Sequence, residues 1–316
     1  MSLLEVRDLS ISFSTSHGLF RAVNGVNLTI ERGEIFGLVG ETGCGKTVTG
    51  LALMGLISST GRVTASRLSL DGLNLLSTRN WQNVRGRRIS MIFQDPAACL
   101  NPTFTIGQQL SHVIRYHFHL DSAATHHRAV ELLNDVGLSD AAHTLRTYPH
   151  QLSGGMQQRV MIALALASGA ELLIADEPTT ALDVTIQSQI LRLLKSLRDK
   201  HTLTIILITH DLGVVAHTCD RVAVLYAGSV AETSSTVDLF RNPKHPYTQG
   251  LLGAMPRHGT RGKPLLAIEG SLPSGINPSV GCPFAARCPL VMKICRTDNP
   301  TLTPTENAHA IACHLY

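Results

Sequence analysis

Apolar and polar residues alternate along roughly the first thirty positions of the chain. The alternating apolar positions are Leu4, Val6, Leu9, Ile11, Phe13, Val26, Leu28 and Ile30. A period of two is typical of strands that place one face on a core and the other in water. The pattern therefore predicts antiparallel strands that form a β subdomain.

Later parts of the chain carry short, continuous apolar runs instead of an alternation. The runs lie at 35–39, 89–93, 172–175, 203–208 and 222–226. Runs of this length are typical of strands that are buried on both faces. From about 160 to 230 they alternate with helical segments, which predicts a doubly wound α/β sheet with parallel strands.

Two further regions differ from this sheet. Residues of about 97–160 favour helices and predict a helical subdomain. At 241–247 the string RNPKHPY ends the α/β pattern, and the rest of the chain is rich in Pro, Gly and Cys. We therefore expect a core over 1–235 and a small, separate C-terminal appendage over 236–316.

The composition limits the cellular location and the partners of the protein more than it limits the function. The chain has 316 residues, 44% of them hydrophobic, and a net charge of +4, which is too mild to indicate a nucleic-acid partner. No apolar run reaches the roughly 18 residues of a membrane span, and the N-terminus lacks the layout of a signal peptide. We expect a cytoplasmic protein that reaches a membrane only through partners, with its seven cysteines reduced.

The strongest local motif is the string GETGCGKT, which follows the first apolar run. It comprises Gly40, Glu41, Thr42, Gly43, Cys44, Gly45, Lys46 and Thr47. It fits the phosphate-loop pattern, in which backbone N–H groups cradle phosphates at the start of a helix. Lys46 is placed to reach the β- and γ-phosphates of ATP, and Thr47 to ligate Mg²⁺.

Polar side chains follow three of the other apolar runs, where parallel strands meet a ligand crevice. Asp176 and Glu177 end one run, and we expect Asp176 to hold Mg²⁺ and Glu177 to activate the attacking water. His210 ends another run and is expected near the γ-phosphate. Gln94 follows Phe93 and is expected to sense Mg²⁺ and the water.

Taken together, these motifs resemble the ATP-binding subunits of ABC transporters. The match includes FQDP around Gln94, LSGGMQQR at 152–159, LLIADEP at 172–178, ALD at 181–183 and His210, and it extends to about residue 235. The resemblance implies a P-loop, RecA-like fold that works as a head-to-tail dimer.

The resemblance also assigns further residues to the nucleotide. In such a dimer Ser153, Gly154, Gly155 and Gln157 would contact the ATP held by the partner, and Asp183 would reach across the interface. An aromatic residue would stack on adenine. Phe13 and Phe20 both qualify, and Phe13 is preferred.

The C-terminal residues narrow the resemblance to one group of importers. NPKHPYTQGLL at 242–252 and GCPFAARCP at 281–289 resemble the ATPases of dipeptide and oligopeptide importers, to which some nickel importers are related. This implies a bacterial importer with a second, homologous ATPase subunit, two membrane permease subunits and an external solute-binding protein. The chain would lie on the cytoplasmic face of the inner membrane. Nickel or another small solute is the alternative substrate, and a soluble, non-transport ABC ATPase is the alternative class.

Four cysteines crowd into the last part of the chain: Cys282, Cys288, Cys295 and Cys313. They are separated by 5, 6 and 17 residues, so the paired C-x₂-C knuckles of a zinc ribbon are absent. Four thiolates in a loop-rich segment suit an iron–sulfur cluster. The importer resemblance also implies a [4Fe–4S] cluster in some members. Four reduced, packed cysteines are the alternative.

Overall fold

The computed structural model describes residues 2–78, 80–180, 182–255, 268–276 and 280–316. The strands are β1 Ser2–Thr15, β2 Gly18–Glu31, β3 Ile35–Val39, β4 Gly61–Thr64, β5 Arg67–Leu70, β6 Leu73–Asn74, β7 Ile89–Ile92, β8 Leu172–Asp176, β9 Thr204–Thr209, β10 Arg221–Tyr226, β11 Ser229–Ser235, β12 Thr303–Pro304 and β13 Ala310–Ile311. The α-helices are α1 Lys46–Leu53, α2 Pro96–Cys99, α3 Ile106–Phe118, α4 Ser122–Asp135, α5 Ala141–Thr144, α6 Gly154–Leu166, α7 Val184–His201, α8 Leu212–Thr218, α9 Thr236–Arg241 and α10 Pro246–Gly253. The chain divides into two compact units, which are residues 1–78 with 209–316, and residues 79–208.

The first unit contains the predicted antiparallel β subdomain. Its strand order is β2-β1-β5-β6, and β4 pairs with a further part of β1. Val6 lies opposite Leu28 in the β1–β2 register, and both side chains are buried. Directly opposed residues share a face of an antiparallel pair, so the alternation in the sequence builds one apolar face here.

The first unit also carries the strands that position the phosphate loop. β3 pairs in parallel with β10, with Leu38 opposite Ala223, and β10 pairs antiparallel with β11. All five residues of β3 are buried, as expected of a strand covered on both faces. The C-terminal region adds to this unit, since β13 pairs with β11 and β12 pairs with β13.

The second unit contains parallel strands and most of the helices. β8 pairs in parallel with both β7 and β9. Helices α2 to α6 form the predicted helical subdomain. Helix α3 packs against α4, and α3 buries Leu110 and Ile114 while α4 buries Leu132. α3 begins at a capping box in which Thr105 and Gln108 satisfy each other's backbone N–H groups.

The predicted elements of the α/β core are therefore confirmed. The helix after the phosphate loop ends at Leu53 and is capped by Met54, although the apolar string VTGLALMGLI continues to Ile57. The predicted division at residue 235 falls between β11 and α9 and stays a prediction. Within the described residues, no helix has both the length and the apolar character needed to cross a bilayer.

Candidate nucleotide site

The phosphate loop runs from the end of β3 to the first turn of α1. Gly40 and Gly45 have positive φ angles of 153° and 104°. A Cβ at Gly45 would lie 2.5 Å from the carbonyl oxygen of Ala22, and one at Gly40 would collide with the carbonyl oxygen of Leu225. Both positions therefore require glycine, because the neighbouring backbone lies too close for a side chain.

Backbone carbonyl groups of the phosphate loop hold the side chain of Lys46 in place. Its side chain is buried, with 5% exposure for the residue, and Nζ donates to the carbonyl oxygens of Gly40 at 2.8 Å and Glu41 at 3.0 Å. These bonds place a positive charge beside the N-terminus of α1, where the helix dipole also favours an anion. Thr47, in the same first turn, is exposed.

The remaining loop residues differ in exposure. Thr42 and Gly43 are exposed on the rim, whereas Cys44 is fully buried and its Sγ lies 3.8 Å from Lys46 Nζ. Burial raises the pKa of the Cys44 thiol, and the nearby Lys46 ammonium only partly opposes this. The thiol is therefore neutral and packs as a small apolar side chain.

Glu41 connects the loop to the C-terminal region. Its backbone N–H donates to the hydroxyl oxygen of Tyr247 at 3.1 Å, and its Oε2 accepts from Arg287 Nη1 at 3.0 Å. The sequence does not predict either partner, although Tyr247 lies in the C-terminal string 242–252 and Arg287 in the string 281–289. No spacing or periodicity links position 41 to position 287, so only the folded chain reveals the pair.

In the second unit, Glu177 and Gln94 lie within hydrogen-bonding distance of each other. Glu177 Oε2 accepts from Gln94 Nε2 at 3.2 Å and from the Thr180 hydroxyl at 2.8 Å. Asp176 ends β8 and is 3% exposed. Glu177 has a φ of 45°, and its backbone N–H is fixed by the carbonyl oxygen of Ile208 at 2.9 Å. A positive φ at a non-glycine residue is strained, which is common where a side chain must be aimed.

The LSGGMQQR string forms the N-terminus of α6. Ser153 caps this helix, and its Oγ accepts from the Met156 N–H at 3.4 Å. Ser153 and Gly154 are exposed. A Cβ at Gly155 would lie 3.0 Å from a methyl carbon of Ile186, so the glycine permits the close approach of α7. The helix therefore offers an exposed N-terminus that is suited to phosphate.

Two other predicted residues have structural partners within the second unit. Gln157 Nε2 donates to the Pro149 carbonyl at 2.8 Å, so its amide fixes the turn that precedes Ser153. Asp183 caps α7 by accepting the Ile186 N–H at 2.9 Å and is exposed. Ala181 of the ALD string lies outside the described residues.

In the first unit, His210 directly follows β9 and is exposed. The two candidates for adenine stacking, Phe13 and Phe20, lie opposite each other in the β1–β2 pair. They therefore share one face of the hairpin. The preference for Phe13 stays a prediction.

The four C-terminal cysteines surround one small cavity, which His245 and His314 also line. Burial raises the pKa of the thiols of Cys282, Cys288 and Cys313, and the neighbouring thiols add to this effect. Among the described residues, no group of three or more His, Cys, Asp or Glu side chains is arranged to hold a single metal ion.

Comparisons with known proteins agree with this geometry. Residues 23–180 match the ABC transporter family, and residues 231–295 match the C-terminal region of oligopeptide/dipeptide transporters. The dipeptide transport ATP-binding protein DppD of Bacillus subtilis (strain 168) is 47% identical, over 99% of this chain and 94% of its own length. DppD of Escherichia coli (strain K12) is 44% identical, over 99% and 97%. The oligopeptide transport ATP-binding protein AppD of Bacillus subtilis (strain 168) is 48% identical, over 100% and 97%.

Solved structures extend the likeness to the fold. CbiO1 from Clostridium perfringens, part of an ABC transporter complex, aligns with a TM-score of 0.65 and 29% identity over 76% of this chain and 91% of its own. A post-hydrolysis dimer of the ATP-binding cassette MJ0796, bound to ADP and Pi, aligns with a TM-score of 0.65 and 26% identity, over 74% and 98%. The predicted ABC ATPase fold is thus confirmed. The chain belongs to the ABC transporter family, as an ATP-binding and ATP-hydrolysing subunit that carries the C-terminal region of the oligopeptide/dipeptide transporters.

Proposed function

We propose that this subunit powers the import of dipeptides or oligopeptides. The observation that carries the proposal is that one chain combines the ATPase motifs with the C-terminal region of peptide transporters, over nearly its full length. The relatives described above are named for dipeptide or oligopeptide transport, which favours peptides over nickel. The C-terminal region also separates this chain from soluble ABC ATPases that do not transport.

In the proposed chemistry, separate groups of residues bind the phosphates of ATP and the Mg²⁺ ion. Lys46 neutralises the β- and γ-phosphates of ATP, and the N–H groups of the loop bind their oxygens. Mg²⁺ would be held by Thr47 and Asp176, with Gln94 sensing it. The ion would offset negative charge between the phosphates when bound. All three supply oxygen atoms, which suit this hard cation.

Hydrolysis needs a base beside the γ-phosphate, and we assign that role to Glu177. Its contacts with Gln94 and Thr180 hold the carboxylate in one orientation, which favours proton transfer from a positioned water. His210 would contact the γ-phosphate and the same water. These roles follow from membership of the family and from the local geometry of each unit.

We propose a heterodimer with a second, homologous ATPase subunit. Ser153, Gly154, Gly155 and Gln157 would act at the nucleotide of the partner, and Asp183 would cross the interface. The exposed N-terminus of α6 supports this assignment. Closure of the dimer would move two permease subunits, which receive solute from an external binding protein. The chain would thus be a peripheral protein on the cytoplasmic face of the membrane.

The cysteine cavity is a candidate for a [4Fe–4S] cluster. Its four thiols come from three separate stretches of sequence and meet around one cavity, which suits a cluster held by four cysteines. A four-iron cluster takes one thiolate per iron, so its ligands need not converge on one point as they do around a single ion. When bound, the cluster would supply a cross-link between these stretches and a one-electron redox centre.

A cysteine substitution tests this assignment. We expect Cys288→Ser to remove the iron and the visible absorption of anaerobically purified protein, because a hydroxyl is a poor ligand for iron. Iron content and the absorption spectrum are the measurements. Cys99→Ser is the matched control, since Cys99 is exposed and lies in the second unit. Unchanged iron content in the Cys288 variant, or its absence from the parent, would contradict the cluster.

The substrate is tested with the assembled transporter. The subunit is purified with its second ATPase and permeases, and ATP hydrolysis is measured after addition of the binding protein with dipeptides, oligopeptides or a nickel complex. We expect stimulation by peptides. Stimulation by the nickel complex alone would leave the ATPase assignment intact and replace the substrate.

A further inference from the structure

Hydrogen bonds join the phosphate loop to the C-terminal region at Glu41. Two independent contacts hold it, one through its backbone and one through its carboxylate. Tyr247, which accepts the backbone N–H, is fully buried, and the side chain of Arg287 is 7% exposed. The side chain of Glu41 is 28% exposed, so the ion pair is partly shielded from water and should be stronger than a fully exposed one.

Arg287 is itself rigidly placed. Its Nε donates to the Glu269 carbonyl at 2.9 Å, and its Nη2 donates to the Ile268 carbonyl at 3.2 Å. The guanidinium lies over the Tyr226 ring, 5.7 Å from the centroid. Each guanidinium nitrogen therefore has a partner, and Nη1 donates both to Glu41 Oε2 at 3.0 Å and to the Tyr226 hydroxyl at 3.4 Å.

Tyr247 is held by an aromatic group. Its ring contacts those of Tyr226 and Phe284, with centroids 4.6 and 5.4 Å apart. Burial raises the pKa of the Tyr247 hydroxyl, so it stays neutral at any physiological pH. Phe284 lies two residues after Cys282, and Arg287 directly precedes Cys288. One contact with Glu41 thus comes from a residue that adjoins a cysteine of the cavity, and the other comes from a tyrosine that packs on Phe284.

The charge of Glu41 gives these contacts a consequence for nucleotide binding. A carboxylate inside an anion-binding loop repels phosphate, since like charges at short range oppose each other. The guanidinium of Arg287 compensates that charge and draws the carboxylate toward the C-terminal region. The hydroxyl of Tyr247 fixes the backbone of the same residue.

We propose that Arg287 and Tyr247 are positioning residues for nucleotide binding. They hold Glu41 so that the loop is preorganised and its carboxylate is neutralised, and they make nucleotide affinity depend on the segment 281–289. The inference rests on the ATP-binding activity of the family and is independent of the peptide substrate and of the cluster.

The test is equilibrium binding of a fluorescent ADP analogue to the purified transporter without peptide. We expect Arg287→Ala to weaken binding about tenfold, within the range of ordinary coupling between sites. Tyr247→Phe should weaken it less, because the carboxylate stays paired. In ATPase assays Arg287→Ala should raise KM for ATP while leaving kcat at saturating ATP close to the parent value. Arg296→Ala is the matched control, since Arg296 also adjoins a cysteine but is exposed.

A second substitution separates charge compensation from a merely structural role. If the Arg287 guanidinium acts by neutralising Glu41, then Glu41→Gln combined with Arg287→Ala should recover most of the lost affinity. Where Arg287→Ala does not fold, Arg287→Gln gives the same comparison, because it removes the charge and keeps an N–H donor. Parent affinity in the Arg287 variants, or a loss that Glu41→Gln does not relieve, would overturn the proposal.

Discussion

Glu177→Gln should lower the rate of ATP hydrolysis by the assembled transporter at least a hundredfold, within the usual contribution of a general base. The amide keeps the shape of the side chain and an acceptor oxygen for Gln94 and Thr180. It cannot take a proton from water, so chemistry stops while ATP binding continues. The dimer with the second ATPase should then stay closed, because hydrolysis no longer separates the subunits.

Three measurements check this result: the ATPase rate, nucleotide affinity, and the fraction of closed dimer by size-exclusion chromatography or cross-linking in ATP. Glu131→Gln is the control, because Glu131 lies on the surface of α4 and pairs with Arg128 at 3.3 Å. Exposed pairs of this kind contribute little. Hydrolysis at the parent rate by the Glu177 variant would show that another group activates the water.

Lys46→Ala should weaken ATP binding about a hundredfold, because it removes one partner from a buried, hydrogen-bonded charge pair formed with the phosphates. The unliganded protein should lose little stability. In the structure, Nζ donates hydrogen bonds to two carbonyl oxygens and to a thiol sulfur. Burying a charge among such uncharged partners costs desolvation free energy. Nucleotide titration and the melting temperature, each with and without ATP, are the measurements.

Lys200→Ala serves as the control for this prediction. Lys200 is exposed and pairs with Asp135 at 2.5 Å, so its loss should leave nucleotide affinity unchanged. A Lys46 variant that binds ATP as tightly as the parent would remove Lys46 from the phosphate site. A variant that unfolds without ligand would show that the lysine supports the loop itself.

Many residues of the candidate site could be predicted from short-range patterns in the sequence. The loop residues from Gly40 to Thr47 lie consecutively, so their spacing encodes the cradle directly. Asp176, Glu177 and His210 each follow an apolar run, and the carboxyl end of a buried parallel strand is where ligand groups are expected. Helix bounds were less predictable, since α1 ends at Leu53 although the apolar string continues.

Contacts between distant residues were not predictable in the same way. Phe13 and Phe20 both qualify in the sequence, with Phe13 preferred, and only the structure shows that they lie opposite each other on one face of β1 and β2. In the C-terminal region, β13 pairs with β11, and the sequence does not predict this contact. A strand pairing of only two residues is too short to produce a periodic pattern in the sequence.

The sequence by itself determined the class of chemistry and the family, because phosphate binding and water activation need particular side chains at short, fixed spacings. The tertiary structure decided which distant groups support them. Arg287 lies 246 residues from Glu41 along the chain, and the local sequence around either residue does not indicate that the two residues pair. Only the packing of the C-terminal region within the first unit brings the guanidinium to the carboxylate, because an ion pair depends on distance in space and not on separation in sequence.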